Sequence, residues 1–192
     1  DVNLRGEKDS NGLVWTHFVT NIDYNAKGQR TLIQYGNEAE TLYRYDFNTF
    51  RLIQLYTRRR AAFTEDCGNE SPPPRTAAPI EPPVNKTCGL QNLFYTYDPA
   101  GNITNIRDMA QQRTYFRNQI VDANNDYYYD ALYRLISATG REHLGQSSPI
   151  QHSYNDALRI NQAQPNDENA MGRYIETYQY DEVGNFIEMK HL

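Results

Sequence analysis

The stretch Tyr178-Gln179-Tyr180-Asp181-Glu182-Val183-Gly184-Asn185-Phe186 decides how this chain is read. Tyr-x-Tyr at the end of a strand sets two aromatics on one face, because side chains alternate with a period of two. Asp starts a turn by accepting hydrogen bonds from its own downstream backbone, and Gly supplies positive φ at the far side. Phe186 then opens a return strand. The unit is a β-hairpin.

The same unit recurs along the chain. Y-x-Y-D also occurs at Tyr43-Arg44-Tyr45-Asp46, Tyr95-Thr96-Tyr97-Asp98 and Tyr127-Tyr128-Tyr129-Asp130. Chance at this composition supplies only about a tenth of one such match. Asp23-Tyr24-Asn25 and Ser153-Tyr154-Asn155 are degraded copies that keep the second Tyr and replace Asp by Asn. Gly101 and Gly184 occupy the glycine position, which Phe47–Phe50 and Leu132–Tyr133 replace in two copies. The consensus is Y-D-x-x-G-(N/R)-(I/L).

These repeats predict strands near Val14–Tyr24, Arg30–Gly36, Thr41–Tyr45, Arg51–Thr57, Leu93–Tyr97 and Asn102–Arg107. They continue at Arg113–Ile120, Tyr127–Tyr129, Arg134–Ala138, Gln151–Tyr154, Tyr174–Tyr180 and Asn185–Lys190. Helix is confined to a turn or two around Glu142–Gly145 and Glu168–Gly172. The fold class is therefore all-β, built of consecutive antiparallel hairpins. Second-Tyr positions lie 21, 52, 32, 25 and 26 residues apart, so two gaps are outsized. One holds Ala61–Asn92, with six of the nine prolines and both cysteines. No ladder runs through such a segment, which reads as an excursion from the sheet. The organisation expected is hairpins over 1–60, a Pro-rich insertion over 61–92 and hairpins over 93–192. A second loop, Asn155–Gly172, is rich in Asn, Gln and Asp.

Composition agrees. The 192 residues are only 39% hydrophobic, with a mean hydropathy of -0.83, yet hold 16 Tyr. Disordered chains are poor in aromatics, so wholesale disorder is excluded. No apolar run is long enough to span a membrane as a helix. A net charge of -5 argues against binding nucleic acid by neutralising phosphates. Asp1 is not preceded by Met and no signal peptide is visible, so the chain is expected to be a piece of something larger.

Chemistry is sparse. His17, His143, His152 and His191 show no ligand spacing and read as structural or solvated. Ser147-Ser148 does not sit in a nucleophile elbow, and each Gly occurs singly, so no phosphate loop is present. Asp122-Ala123-Asn124-Asn125-Asp126 starts like a calcium loop, but Tyr127 and Tyr133 stand where Gly and a bidentate Glu are needed. Arg58-Arg59-Arg60 is expected to end a strand and face water. Asn69, Asn85 and Asn102 begin sequons that matter only in a eukaryotic secretory pathway. Cys67 and Cys88 form either a disulfide or two free thiols; they make a poor zinc site. No catalytic residue, metal or cofactor is expected, and the chain is not read as an enzyme.

The unit Y-D-x-x-G-(N/R)-(I/L) resembles the Rhs/YD repeat of large bacterial toxins and teneurin-type cell-surface proteins. Val19–Arg30, Tyr129–His143 and Tyr178–Phe186 most resemble the B component of bacterial insecticidal Tc (ABC) toxin complexes. That resemblance implies a strip of a spiral sheet, part of a hollow shell formed by B and C components around a cytotoxic segment. It implies as partners the rest of the same shell, a C-component-like chain with its enclosed toxin and, indirectly, a pentameric translocation component. An extracellular location follows, with no nucleic acid and no direct membrane insertion. Asp98-Pro99-Ala100-Gly101 has the form of a motif from the autoproteolytic core of such shells, but without a second aspartate motif it reads as a turn. The alternative is a YD-repeat binding module for carbohydrate or a cell-surface protein, its exposed tyrosines around a cleft.

Overall fold

The computed structural model describes residues 2–9, 12–59, 63, 66–67, 79–82, 86–144 and 169–192, with backbone only at 2–9, 13 and 14. Among them the regular elements are all strands, and the chain divides into two compact units. The first comprises Asp1–Tyr95 and Asp108–Gln111; the second comprises Thr96–Arg107 and Gln112–Leu192.

In the first unit six strands lie in chain order: β1 (Val2–Asp9), β2 (Gly12–Tyr24), β3 (Arg30–Tyr35), β4 (Glu40–Tyr45), β5 (Leu52–Arg58) and β6 (Gln91–Tyr97). The last two residues of β6 belong to the second unit. Each strand pairs antiparallel with the next, as connections of a few residues require. Register partners Leu32, Leu42 and Tyr56 share one face and form its apolar core, with Ile80 of the Pro-rich segment packed on them. Strand β1 carries no repeat motif, which is why the sequence does not announce it.

The second unit orders its strands β7 (Ile103–Asp108), β10 (Asn124–Tyr129), β11 (Leu135–His143), β12 (Met171–Tyr180) and β13 (Phe186–His191). A separate hairpin joins β8 (Thr114–Phe116) to β9 (Gln119–Val121). The single strand expected over Arg113–Ile120 is thus two strands around Arg117 and Asn118, both at positive φ. Non-glycine residues rarely adopt that conformation, so no sequence signal marked the turn.

Two more expectations are revised. Glu142 and His143 end β11, and Met171 and Gly172 begin β12, so those four residues are extended and not helical. The expected strand at Gln151–Tyr154 lies outside the described residues, as do Tyr154, His152 and Ser147-Ser148. β11 pairs directly with β12 from Ser137↔Thr177 to His143↔Met171, so no strand intervenes between them.

Candidate functional site

The repeated turns are the most constructed feature of the molecule. In each, the side-chain oxygen at the Asp or Asn position caps the turn. Asp98 Oδ1 accepts from Gly101 N at 2.7 Å and Asn102 N at 2.9 Å. Asp130 Oδ1 accepts from Leu132 N and Arg134 N, and Asp181 Oδ1 from Val183 N and Asn185 N. Asn25 does the same for Lys27 N and Gln29 N, so the Asn of a degraded copy loses none of the caps. The glycine position has positive φ, 112° at Gly101 and 92° at Gly184, and Tyr133 adopts 61° in its place. The Asp46 turn is one residue longer and puts its positive φ, 58°, on Phe50.

The N/R position of the consensus has a physical cause that the sequence alone did not reveal. Its side chain reaches back to the second carboxylate oxygen: Asn102 Nδ2 to Asp98 Oδ2, Arg134 Nε to Asp130 Oδ2 and Asn185 Nδ2 to Asp181 Oδ2, each 2.7 Å. A carboxylate accepting so many donors is stabilised in its charged form. The side-chain bond from Asn102 holds Asp98 below the usual carboxylate range, and Asn185 does so for Asp181. For Asp130 the leading cause is Arg134 N–H, and for Asp46 it is Thr49 N–H.

Successive repeats are tied together by the second tyrosine. Tyr45 donates its hydroxyl to Arg30 O, Tyr129 to Ile103 O and Tyr180 to Leu135 O, all at 2.9 Å. Each acceptor is the residue that opens the preceding repeat's return strand. The consensus N/R position adds a second tie: Gln29 Nε2 donates to Phe50 O, and Arg134 Nη1 to Asp181 O. Arg134 also lies over the Tyr180 ring at 5.2 Å. Simple alternation does not describe how these tyrosines are placed. The ladder shifts immediately before the second Tyr in four hairpins, at Asp23/Tyr24, Arg44/Tyr45, Tyr128/Tyr129 and Gln179/Tyr180. The residue skipped on the return strand is Thr31, Ile53, Ile136 or Ile187, a β-bulge that re-aims the tyrosine.

Of the repeat residues singled out from sequence, Tyr43, Tyr45 and Asp46 lie in the first unit with Tyr24 and Tyr95. Tyr97, Asp98, Gly101, Tyr127, Tyr129, Asp130, Tyr178, Tyr180, Asp181 and Gly184 lie in the second. Tyr178 and Tyr180 make ring contacts to Phe186, and Tyr174 to His191.

The Pro-rich segment is anchored. Gln54 Nε2 donates to Ile80 O at 2.8 Å and to Asn92 Oδ1 at 2.6 Å, while Ile80 N donates to Gln54 Oε1. Gln54, Tyr56 and Asn92 are fully buried. The Tyr56 hydroxyl donates to Cys67 O, and burial pushes its pKa up to about 12. Cys67 is joined to Cys88 by a disulfide. Gly89 must be glycine, since a Cβ there would lie 2.7 Å from the Tyr56 ring and from Thr57 O. Arg58 does not face water. It sits on the covered face opposite Glu40, 2.5 Å from its carboxylate, and Arg59 pairs with Asp66 at 2.9 Å. The cause is strand alternation: Arg58 shares a face with Tyr56. Arg60 lies outside the described residues.

A concavity of about 690 Å³ opens in the first unit against Tyr35, Thr41, Tyr43, Leu55, Thr57 and Phe18. Thr41 and Thr57 join hydroxyls across it at 2.9 Å. Gly36 closes its wall, because any side chain there would collide with His17 O. In the loop considered for calcium, Asp122 is held by Arg113 at 2.5 Å and Asp126 by Asn105 at 2.7 Å. No group of three or more His, Cys, Asp or Glu among the described residues could hold a metal. No helix among them is long and apolar enough to cross a membrane.

No family model matches the chain. Toxin subunit YenC1 of Yersinia entomophaga is 35% identical over 173 residues, which is 90% of this chain and 15% of YenC1. The crystal structure of TcdB2-TccC3 aligns with 96% of the chain at 34% identity and a TM-score of 0.60, covering 7% of that protein. The Photorhabdus luminescens Tc holotoxin pore aligns at 32% identity and a TM-score of 0.56, again covering 7%. The chain thus spans only a small part of the proteins it matches. The repeats, the hairpin ladder and these similarities agree, and the chain is an Rhs/YD-repeat protein related to the subunits of Tc toxins.

Proposed function

We propose that this chain is wall material of a hollow Rhs/YD-repeat shell that encloses and protects the cytotoxic cargo of a Tc-type toxin complex. The observation that carries the reading is the tie between successive hairpins. Tyr45, Tyr129 and Tyr180 each donate to the residue that opens a neighbouring hairpin's return strand, at 2.9 Å in all three. A sheet made this way extends by adding repeats, each bound to its neighbour, as repeat architectures do. Its work is containment and not catalysis. Its partners are the remainder of the shell, a C-component-like chain bearing the cargo and, through them, a translocation component. Its place is outside the producing cell.

The test challenges the assembled parent complex with protease. The cargo segment should survive in the intact complex and be degraded when residues 1–192 are deleted from the parent. Equal digestion of the cargo in both would overturn the reading. One observation favours the binding-module alternative. The concavity beside Tyr35 and Tyr43 is lined by no carboxylate, ammonium or guanidinium group and holds aromatic rings and hydroxyls, which suits a carbohydrate. Chemical-shift changes confined to Thr41, Tyr43 and Thr57 on adding neutral oligosaccharides would support it.

A further inference from the structure

His191 on β13 is held between two carboxylates. Its Nδ1 lies 3.2 Å from Glu176 Oε1 on β12, and its Nε2 lies 3.1 Å from Glu142 Oε2 on β11. Its ring stacks on Tyr174 at 5.2 Å with 26° between planes. Ionised carboxylates only accept hydrogen bonds, and neutral imidazole has one donor and one acceptor. Two simultaneous bonds to carboxylates therefore require the imidazolium. In the neutral ring one nitrogen lone pair would face a carboxylate oxygen, and that contact would be lost.

We propose that Glu142, His191 and Glu176 form a pH-sensitive staple that fastens β13 across β12 to β11 while the imidazole is protonated and releases it as pH rises. The other carboxylate oxygen of Glu176 accepts the Tyr178 hydroxyl at 2.5 Å. That bond, with burial, pushes the Tyr178 pKa up to about 12, so Tyr178 remains a donor throughout. The groups facing His191 are Glu142 from β11 and Tyr174, Glu176 and Tyr178 from β12. Tyr127 of β10 feels the charge of Glu176 but does not touch the imidazole. Arg141 and His143 alternate to the opposite face of β11, and Arg173 to that of β12. Lys190 likewise leaves the His191 face and pairs with Glu188 at 3.1 Å. Flanking the β8–β9 hairpin, Arg113 and Asp122 pair with each other. Burial opposes the charge on His191, but the two glutamates outweigh it and raise the pKa above the usual histidine value. A raised folded pKa places the stabilisation below about pH 6.5 and removes it as pH climbs through the folded value. The staple is argued from the geometry of the second unit and does not depend on the shell reading.

The test is amide hydrogen exchange of β13 in the 192-residue chain between pH 5.5 and 9, corrected for intrinsic rates and referenced to β10. Protection of Phe186–His191 should fall about two- to fivefold with rising pH, the effect expected of a part-exposed ion pair. His191→Gln should abolish that pH dependence. Glu142→Gln, which leaves the Glu176 contact in place, should lower the His191 titration midpoint seen by NMR. A His191 midpoint at or below 6.5, or equal pH dependence in the wild type and His191→Gln, would overturn the proposal.

Discussion

In the first unit one face of the sheet is roofed. Tyr56, Gln54 and Asn92 are fully covered, Arg58 and Glu40 pair beneath the Pro-rich segment, and a disulfide closes that segment on itself. One face of the second unit's sheet carries Tyr174, Tyr178, Phe186, Met189 and His191, of which Phe186 and Met189 are more than half exposed. The covered apolar side chains of this unit are small, Val121, Ala138 and Ala170, so hydrogen bonds at turns and between strands supply more of its order. Apolar burial stabilises in proportion to area removed from water, whereas a hydrogen bond contributes about 0.5–1.5 kcal/mol net. The two units reach the same hairpin ladder by different means, and they should fail under different stresses.

Truncating Tyr56→Ala should break the contrast most. It removes a fully buried ring and the hydroxyl on Cys67 O, at a cost of about 3–5 kcal/mol. Hydrogen exchange should show β4–β6 opening while β11–β13 keep their protection. Next comes the disulfide. Replacing both Cys67 and Cys88 by Ser should cost about 3 kcal/mol, because the 21-residue separation closes a loop of moderate entropy. Equal unfolding temperatures with and without reductant would remove that contribution. Gly184→Val should cost more than about 1 kcal/mol, since a β-branched residue is strained at φ 92° even with open space around it. Its effect should be confined to β12–β13. Tyr180→Phe deletes only the hydroxyl bond to Leu135 O and should cost about 1 kcal/mol, read from the denaturant midpoint.

The smallest expected effect is the most selective. Asp98, Asp130 and Asp181 are turn carboxylates of the second unit, all held below their usual range, whereas the first unit has Asp46 and the uncharged Asn25. A depressed folded pKa gives stabilisation present above about pH 4 and lost as pH falls through the folded value. Acid titration followed by exchange should therefore loosen the second unit's turns before those of the first. Simultaneous loosening of all five would show that the carboxylates contribute little. His191 works in the opposite direction, so the second unit is bounded on both sides of the pH scale.

Much of the ladder was legible in sequence because the turn chemistry is local. Asp caps its own downstream N–H groups, and Gly takes the positive φ, within five residues. What stayed hidden depends on tertiary partners or on rare backbone states. In Arg117-Asn118 only Asn favours positive φ, too weak a signal without Gly to announce a turn. Arg58 reads as a solvated charge until Glu40 and the covering segment are placed around it. The Pro-rich segment, expected without strand over 61–92, gives way to β6 already at Gln91, and its grip on Gln54 and Tyr56 is a long-range contact without a motif. The bulges beside Tyr24, Tyr45, Tyr129 and Tyr180 were hidden as well, because Tyr-x-Tyr looks like plain alternation.

Those bulges bear on a hazard peculiar to chains built of near copies. A return strand from one repeat could pair with the outgoing strand of another, since both offer the same alternating pattern. Slipping by one residue would exchange the two faces of the sheet. The skipped Thr31, Ile53, Ile136 and Ile187 fix where each ladder steps. The tyrosine hydroxyl then finds its carbonyl only when that step lies beside the correct neighbour. Bulge and hydroxyl together act as a proofreading device at Tyr45, Tyr129 and Tyr180: a misaligned strand leaves a phenol without its acceptor, so an error of assembly is penalised at each of these hairpins in turn.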